Sequence, residues 1–207
     1  EVSSRFGIPW IADIRDSWNA QKLSSYTKQK MIAYHERNLT RRANEVTSVS
    51  NGISNVLGEI LDRKVHTITN GFDPFEGKPD GKPQENHFDI LYAGNLSRNR
   101  DPTPLFEALQ KCHREGLVPE GMIRVCFLGS SRKFADLFDL ERFRSVSFSF
   151  EPRVSRLRSQ SKMRAATILL LLTHPGELGV VTGKVFDYLS SGRPILAIPD
   201  DKGSGSK

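Results

Sequence analysis

The chain has 207 residues, of which 37% are hydrophobic and 26% are charged. These proportions are close to those of soluble globular proteins and exclude a collagenous, low-complexity or strongly disordered chain. The 30 Lys and Arg residues outnumber the 24 Asp and Glu residues, which gives a formal net charge of +6. That balance suits an anionic ligand or a peripheral membrane contact, although many proteins with neither role share it.

The cysteines, the longest apolar run and the first residues of the chain indicate where in the cell the protein is expected. Cys112 and Cys126 have no CxxC partner, which predicts buried free thiols in a reducing compartment. The longest apolar run, residues 168–172, is too short to span a bilayer. The first residues, EVSSRFGIPW, have neither an initiator Met nor the layout of a signal peptide. We therefore expect a cytoplasmic piece of a longer protein.

The first third of the chain alternates short apolar runs with helical patterns. Strands are predicted at residues 8–14, 45–49 and 65–68, and a charged helix is predicted at 26–43. A second helix begins after Ser50, a residue type that favours N-cap positions. Its apolar residues fall at i, i+3, i+4, i+7 and i+8, which is one face of a helix: Ile53, Val56, Leu57, Ile60 and Leu61.

A segment with the composition of a linker separates this part from the rest of the chain. Residues 70–87, NGFDPFEGKPDGKPQENH, are rich in Gly and Pro and have no hydrophobic periodicity. This composition is typical of a linker. We therefore predict a first domain at 1–71, a linker at 72–86 and a second domain at 87–207.

The second domain repeats the alternation more clearly. Strands are predicted at 88–93, 123–128, 146–150, 167–172 and 194–198, with helices at 104–115, 154–165 and 184–191. Continuous apolar strands separated by helices indicate strands buried on both faces. The predicted fold class is therefore α/β, with Rossmann-like parallel sheets covered by helices on both faces.

Ligands of such sheets bind beyond the carboxyl ends of the strands, so the loops there are candidate sites. Gly94 follows the strand at 88–93 and allows close approach of the backbone, while the loop arginines, Arg100 among them, can reach phosphate oxygens. A solvated loop without a ligand explains the same residues.

A second candidate lies before the helix at 184–191. Glycines precede it, Lys184 stands in its first turn, and Asp187 follows one turn later. Free amides at a helix start favour an anion such as a diphosphate, and a carboxylate can accept from both hydroxyls of a ribose. The pairing suggests a nucleotide, although a capped surface helix is the alternative.

Other common site motifs are not found in the sequence. The run Thr182-Gly183-Lys184 does not have the earlier glycine and the following Ser or Thr of a P-loop, and neither GxGxxG nor GxSxG occurs. Aromatic residues do not interleave with basic ones, so no nucleic-acid partner is expected. The histidines are scattered and no DxD follows a strand, so no metal or other cofactor is expected.

Five segments together resemble one known family. They are PWIADIRDSW, TSVSNGI, TNGFD, DILYAGNLSRNRDPTPLFEAL and TGKVFDYLSSGRPILAI. Their order and spacing are similar to those of the retaining "group 1" glycosyltransferases of GT-B fold. The resemblance implies two Rossmann-like domains facing a cleft. Residues 1–71 would be the end of the acceptor-side domain, and 87–207 would be a donor-binding domain that is incomplete at its C-terminus.

The resemblance also implies donor-binding residues. Asp187 matches the second acidic residue of the family's Glu-x(7)-Glu pattern, which binds the donor ribose, but Gly179 replaces the first, and Glu177 lies two residues earlier. The family's Arg–Lys pair on the diphosphate maps to Asn95 and Arg100. The resemblance implies that backbone amides of five residues face the sugar and phosphates: Gly179, Val180, Val181, Thr182 and Gly183. It also implies that Arg153 and Val154 lie at the nucleobase.

The implied function is transfer of a sugar from a nucleotide-sugar donor, with retention, to a glycan or lipid-linked hydroxyl acceptor in cell-surface glycan synthesis. A fragment of this extent is expected to be inactive or weakly active alone. A location in the cytoplasm at the inner face of the membrane would fit. Two alternatives stay open: a nucleotide-sugar 2-epimerase of the same fold, and a non-enzymatic α/β binding module.

Overall fold

The computed structural model describes residues 2–16, 26–73, 81–96, 100–130, 138–172 and 183–198. The described residues form two compact units, one up to Gly71 and the other from Phe72 onward. The roles predicted for the domains at 1–71 and 87–207, and for the linker at 72–86, stay predictions.

The first unit contains a three-stranded parallel sheet in the order β1-β2-β3. Its elements in chain order are α1 (Val2–Phe6), β1 (Ile11–Ile14), α2 (Tyr26–Thr40), β2 (Glu45–Ser48), α3 (Asn51–Leu61) and β3 (His66–Thr67).

Helix α3 covers this sheet because its apolar stripe lies on one side. Ile53 and Leu57 are buried with Val46 of β2 in one hydrophobic cluster. The helix begins as predicted at Ser50, whose hydroxyl accepts a hydrogen bond from the Ile53 amide at 3.3 Å. It ends at Asp62, which adopts the left-handed conformation with φ 53°.

The second unit contains a five-stranded parallel sheet in the order β6-β5-β4-β7-β8. Its elements are β4 (Phe88–Ala93), α4 (Thr103–Arg114), β5 (Ile123–Leu128), a 3₁₀ turn (Leu140–Arg142), β6 (Val146–Glu151), α5 (Arg156–Ala165), β7 (Ile168–Leu172), α6 (Gly183–Ser191) and β8 (Ile195–Ile198).

Strand β4 lies at the centre of this sheet and is buried on both faces. Tyr92 belongs to a cluster on one face with Phe106 of α4. Leu91 belongs to a cluster on the other face with Met163 of α5 and Tyr188 of α6. Helices therefore pack on both faces of a parallel sheet, which confirms the predicted α/β class.

Local differences from the prediction have local causes. Strand β1 begins at Ile11 rather than at Ile8, because Gly7 at φ 65° ends α1 and Pro9 precedes the strand. Helix α5 begins after Ser155 rather than at Val154, because the Ser155 hydroxyl accepts from the Arg158 amide. Both cysteines are free thiols, but each is half-buried rather than buried.

None of the helices in the described part of the chain is both long and apolar enough to cross a membrane.

Replacing Ser50 with Ala should lower the free energy of unfolding by about 1 kcal/mol, because the Ile53 amide loses its acceptor. Urea unfolding followed by circular dichroism measures the loss. Ser147→Ala is the control, since Ser147 is exposed on β6 and should change stability by less than about 0.5 kcal/mol. Equal losses for the two variants would contradict the capping role.

Candidate functional site

The loops that follow β4 and β5 lie together at the carboxyl edge of the second sheet. The Ser130 hydroxyl, buried after β5, donates to the Gly94 carbonyl at 2.7 Å and accepts from the Leu96 amide at 2.9 Å. A Cβ on Gly129 would lie 3.6 Å from the Gly94 backbone. This serine therefore fixes the loop that carries Gly94.

The Tyr92 hydroxyl is the meeting point of the two basic side chains that the sequence singled out. It donates to the Asn95 carbonyl at 3.1 Å. It accepts from the Lys184 ammonium at 2.8 Å and from the Arg100 guanidinium at 3.3 Å. The Lys184 nitrogen also lies 4.4 Å from the centroid of the Tyr92 ring, a distance typical of a cation–π contact. Residues that are 92 positions apart in the chain are thus in direct contact.

Gly94 is required for this contact by both its conformation and its size. Its φ of 142° is one that side-chain-bearing residues rarely adopt, and a Cβ there would collide with the Lys184 ammonium. The missing side chain leaves room for the lysine to reach the phenol.

Tyr188 holds helix α6 against strands β4 and β7. Its hydroxyl accepts from the Ala93 amide at 2.8 Å and donates to the Leu170 carbonyl at 3.1 Å. The side chain is 1% exposed, and burial raises the pKa of the phenol. Because Lys184 precedes Tyr188 by one helical turn, this anchor also sets the position of the lysine.

The electrostatics of the site favour an anionic ligand. Among the described residues, no carboxylate lies within ion-pair distance of Lys184 or Arg100. Burial lowers the pKa of Lys184, the neighbouring Tyr92 raises it, and the charge of Arg100 lowers it. The Arg100 Nε is buried and has no hydrogen-bond partner in the described structure. Two cations held together with no carboxylate partner among the described residues can bind an anion.

A cavity of about 380 Å³ elsewhere in the second unit is lined by charged side chains that are paired with each other. Arg124 is paired with Asp89 at 2.6 Å, and Lys162 with Glu151 at 2.8 Å. The Cys126 thiol also contacts Glu151, at 3.6 Å. Because these charges neutralise each other in pairs, this cavity offers no excess charge to an ion.

In the first unit, a cavity of about 480 Å³ opens at the end of β1. Asp13, one of its lining residues, accepts from Arg15 at 3.0 Å and from the Thr47 hydroxyl at 2.9 Å. The hydrogen bond from Arg15 is the largest cause of the lowered pKa of Asp13. This carboxylate is therefore already hydrogen-bonded to Arg15 and Thr47.

The structure also describes four other residues that the sequence predicted for the site. Asp187 is half-buried on α6, one turn after Lys184. The Asn95 side chain is exposed, and its backbone carbonyl makes the contact with Tyr92. Arg153 is exposed, and Val154 packs against the cluster on the α5 face.

The remaining predicted residues lie outside the described residues. They are Glu177, Gly179, Val180, Val181 and Thr182, whereas Gly183 is the first residue of α6.

Sequence reasoning missed the hydroxyl groups that organise the site. Tyr92, Ser130 and Tyr188 look like core or loop residues when only hydrophobic periodicity is considered. The available signal was that Tyr92 and Ser130 stand at the carboxyl ends of buried strands, where a polar group is in reach of a ligand. Tyr188 could have been noticed because it lies four residues after Lys184 on the same helix face.

No family model matches the chain, and no curated protein matches it in sequence. Solved structures do match it. A TarM variant from S. aureus, in complex with Fondaparinux, alpha-GlcNAc-glycerol and UDP, aligns at a TM-score of 0.59 with 13% identity over 94% of this chain and 38% of TarM.

Two further structures come from glycosyltransferases of lipopolysaccharide synthesis. WaaG, involved in lipopolysaccharide biosynthesis, aligns at a TM-score of 0.60 with 16% identity over 90% of this chain and 55% of WaaG. The lipopolysaccharide outer core galactosyltransferase WaaB, in its apo form, aligns at 0.58 with 15% identity over 95% of this chain and 58% of WaaB.

These similarities establish the fold. The chain has the α/β fold with parallel sheets that is found in glycosyltransferases of GT-B type, as the resemblance implied. It spans between 38% and 58% of the length of these neighbours.

Gly94→Ala should destabilise the second unit by about 1–3 kcal/mol and weaken anion binding, because the new methyl group meets an unfavourable φ and displaces Lys184. Urea unfolding and calorimetric titration with inorganic pyrophosphate measure the two effects. Gly116→Ala is the matched control: its φ is 72°, but nothing lies within 4 Å of the new Cβ. If both variants bound pyrophosphate like the parent, Gly94 would not be needed for the position of Lys184.

Proposed function

We propose that this chain is the donor-binding part of a retaining glycosyltransferase of the group 1 type. The protein would transfer a sugar from a nucleotide-sugar to a hydroxyl group of a glycan or lipid-linked acceptor in cell-surface glycan synthesis. One observation carries the proposal: Lys184 and Arg100 meet on an uncharged oxygen, without a carboxylate among the described residues, at the sheet edge where this fold class binds ligands.

The chemistry of sugar transfer explains why such a pair would be useful. When the bond between the sugar and the diphosphate breaks, negative charge develops on the leaving diphosphate. Positively charged groups that are already in position stabilise the transition state, in which this charge develops, more than they stabilise the ground state. This difference lowers the barrier. Lys184 and Arg100 would supply that charge without a metal ion.

The neighbours support the same ligand class. UDP is present in the TarM complex, and WaaG and WaaB act in lipopolysaccharide synthesis. UDP is therefore the first nucleotide to test, and a bacterial cell-surface glycan is the acceptor class we propose. Nucleotide-sugar chemistry of this kind would place the protein in the cytoplasm, in peripheral contact with the inner face of the membrane.

Calorimetric titration with UDP, ADP, GDP and CDP tests the donor site. We expect one nucleoside diphosphate to bind, and to bind equally well in EDTA. No detectable binding of any of them would favour the non-enzymatic binding module. A longer protein that contains this chain, given labelled nucleotide-sugar and acceptor, separates transfer from 2-epimerisation by the fate of the sugar.

Removal of either cation should weaken diphosphate binding more than monophosphate binding. Lys184→Ala and Arg100→Ala should each cost about 1–2 kcal/mol with the diphosphate, and less with the matching monophosphate, because in the proposed site the distal phosphate would lie near the start of α6. The double mutant should show coupling, since both groups contact one ligand.

Lys111→Ala, which removes an exposed cation of α4, is the control for net charge. Equal and additive losses with the mono- and diphosphate would mean that neither cation contacts the diphosphate.

Asp187→Asn should weaken binding of the whole nucleotide, because a neutral amide accepts less strongly from two ribose hydroxyls. The expected loss is about 1.5–3 kcal/mol with the nucleoside diphosphate and almost nothing with inorganic pyrophosphate, which has no ribose. The exposed Asp139→Asn serves as the matched change of charge. An unchanged calorimetric affinity for the nucleotide would refute the ribose role.

A further inference from the structure

The hydroxyl of Tyr92 has an unusual set of partners for a buried phenol. The side chain is 1% exposed, and its ring packs 5.9 Å from the ring of Phe127. Its single proton is directed to the Asn95 carbonyl. The oxygen is therefore left as an acceptor, and it accepts from Lys184 and Arg100.

The usual acceptor between two cations is a carboxylate, which would neutralise part of their charge. A phenol oxygen accepts hydrogen bonds without adding a negative charge, so the pair retains its full attraction for an anion. The two side chains still repel each other, because both are cationic and both donate to the same oxygen. Burial is the largest cause of the lowered pKa of Lys184; Tyr92 raises this pKa, and the charge of Arg100 lowers it. The hydroxyl thus opposes a repulsion that would otherwise separate the two side chains.

We propose that Tyr92 is a positioning residue of the donor site, whose hydroxyl keeps Lys184 and Arg100 side by side before the diphosphate arrives. This inference rests on the proposed function, because it takes the anion to be the diphosphate of the donor. The ligand would then meet a cation pair whose side chains are already ordered. Ordering them in advance removes part of the entropic cost of binding.

The test replaces Tyr92 with Phe, which keeps the buried ring and removes only the hydroxyl. We expect binding of the nucleoside diphosphate to weaken about tenfold, and binding of the monophosphate to weaken less. Calorimetry measures both affinities for the parent and the variant.

The second readout is the titration of the Lys184 side chain by NMR, with its signal assigned by comparison with Lys184→Ala. Among the described residues, the groups that face this ammonium are the Tyr92 phenol and the Arg100 guanidinium, and Asp187 lies on its own helix. Burial is the largest cause of the lowered pKa of Lys184. Release of the side chain from Tyr92 to solvent should therefore move its titration upward, towards the ordinary lysine value of 10.5.

Thr167→Val is the matched control. It keeps the size of the side chain and removes a half-buried hydroxyl that accepts from the Asp89 amide at 3.1 Å, at the end of β4 opposite to Ala93. It should lower the thermal unfolding temperature and should leave the pKa of Lys184 and the affinity for the diphosphate unchanged.

The outcomes separate this inference from the proposed function. If the parent binds the diphosphate and Lys184→Ala weakens this binding, but Tyr92→Phe matches Thr167→Val in affinity, the positioning role is wrong and the function stands. A pKa of Lys184 that is unchanged or lower in Tyr92→Phe also overturns the role. If the parent binds no nucleoside diphosphate, the proposed function fails, and the role of Tyr92 towards a diphosphate fails with it.

Discussion

Two positive charges lie beside each other at the carboxyl edge of the second sheet, and their mutual repulsion must be overcome before any ligand is present. In a partly buried environment this repulsion is stronger than in water. The contacts that oppose it are the phenol oxygen of Tyr92, which accepts from both side chains, and the face of its ring. The rest of the site can be understood as what keeps this oxygen in place.

The surrounding fold supplies that rigidity in layers. Tyr92 belongs to β4, which is paired on both sides, by β5 and β7. The Ser130 hydroxyl holds the following loop by its hydrogen bonds to Gly94 and Leu96. On the opposite side, Tyr188 holds α6 against Ala93 at the end of β4 and against Leu170 in the middle of β7. A ligand contact made by Lys184 is therefore supported by hydrogen bonds to two strands rather than by a flexible surface.

Much of the fold could be predicted from the sequence, because buried parallel strands appear as continuous apolar runs, and strands β4 and β5 have the bounds predicted for them. The start of α3 was predictable because an N-cap is a local signal. The site was less accessible to such reasoning. The sequence predicts Lys184 from the glycine before it and Arg100 from its place in the loop after β4, but the Tyr92 contact joins residues far apart in the chain. Periodicity indicates which residues are buried, not which atom a buried hydroxyl meets.

The lowered pKa of Lys184 has a consequence for covalent chemistry. An amine attacks an electrophile only in its unprotonated form, and the half-buried Lys184 releases its proton more readily than an ordinary lysine. Gly94 leaves the space beside its nitrogen free of a side chain. An acylating reagent small enough to enter would thus modify this lysine at a lower pH than lysines of ordinary pKa. An anion seated between the two cations would favour the ammonium form and protect it, so the extent of acylation would report occupancy of the site.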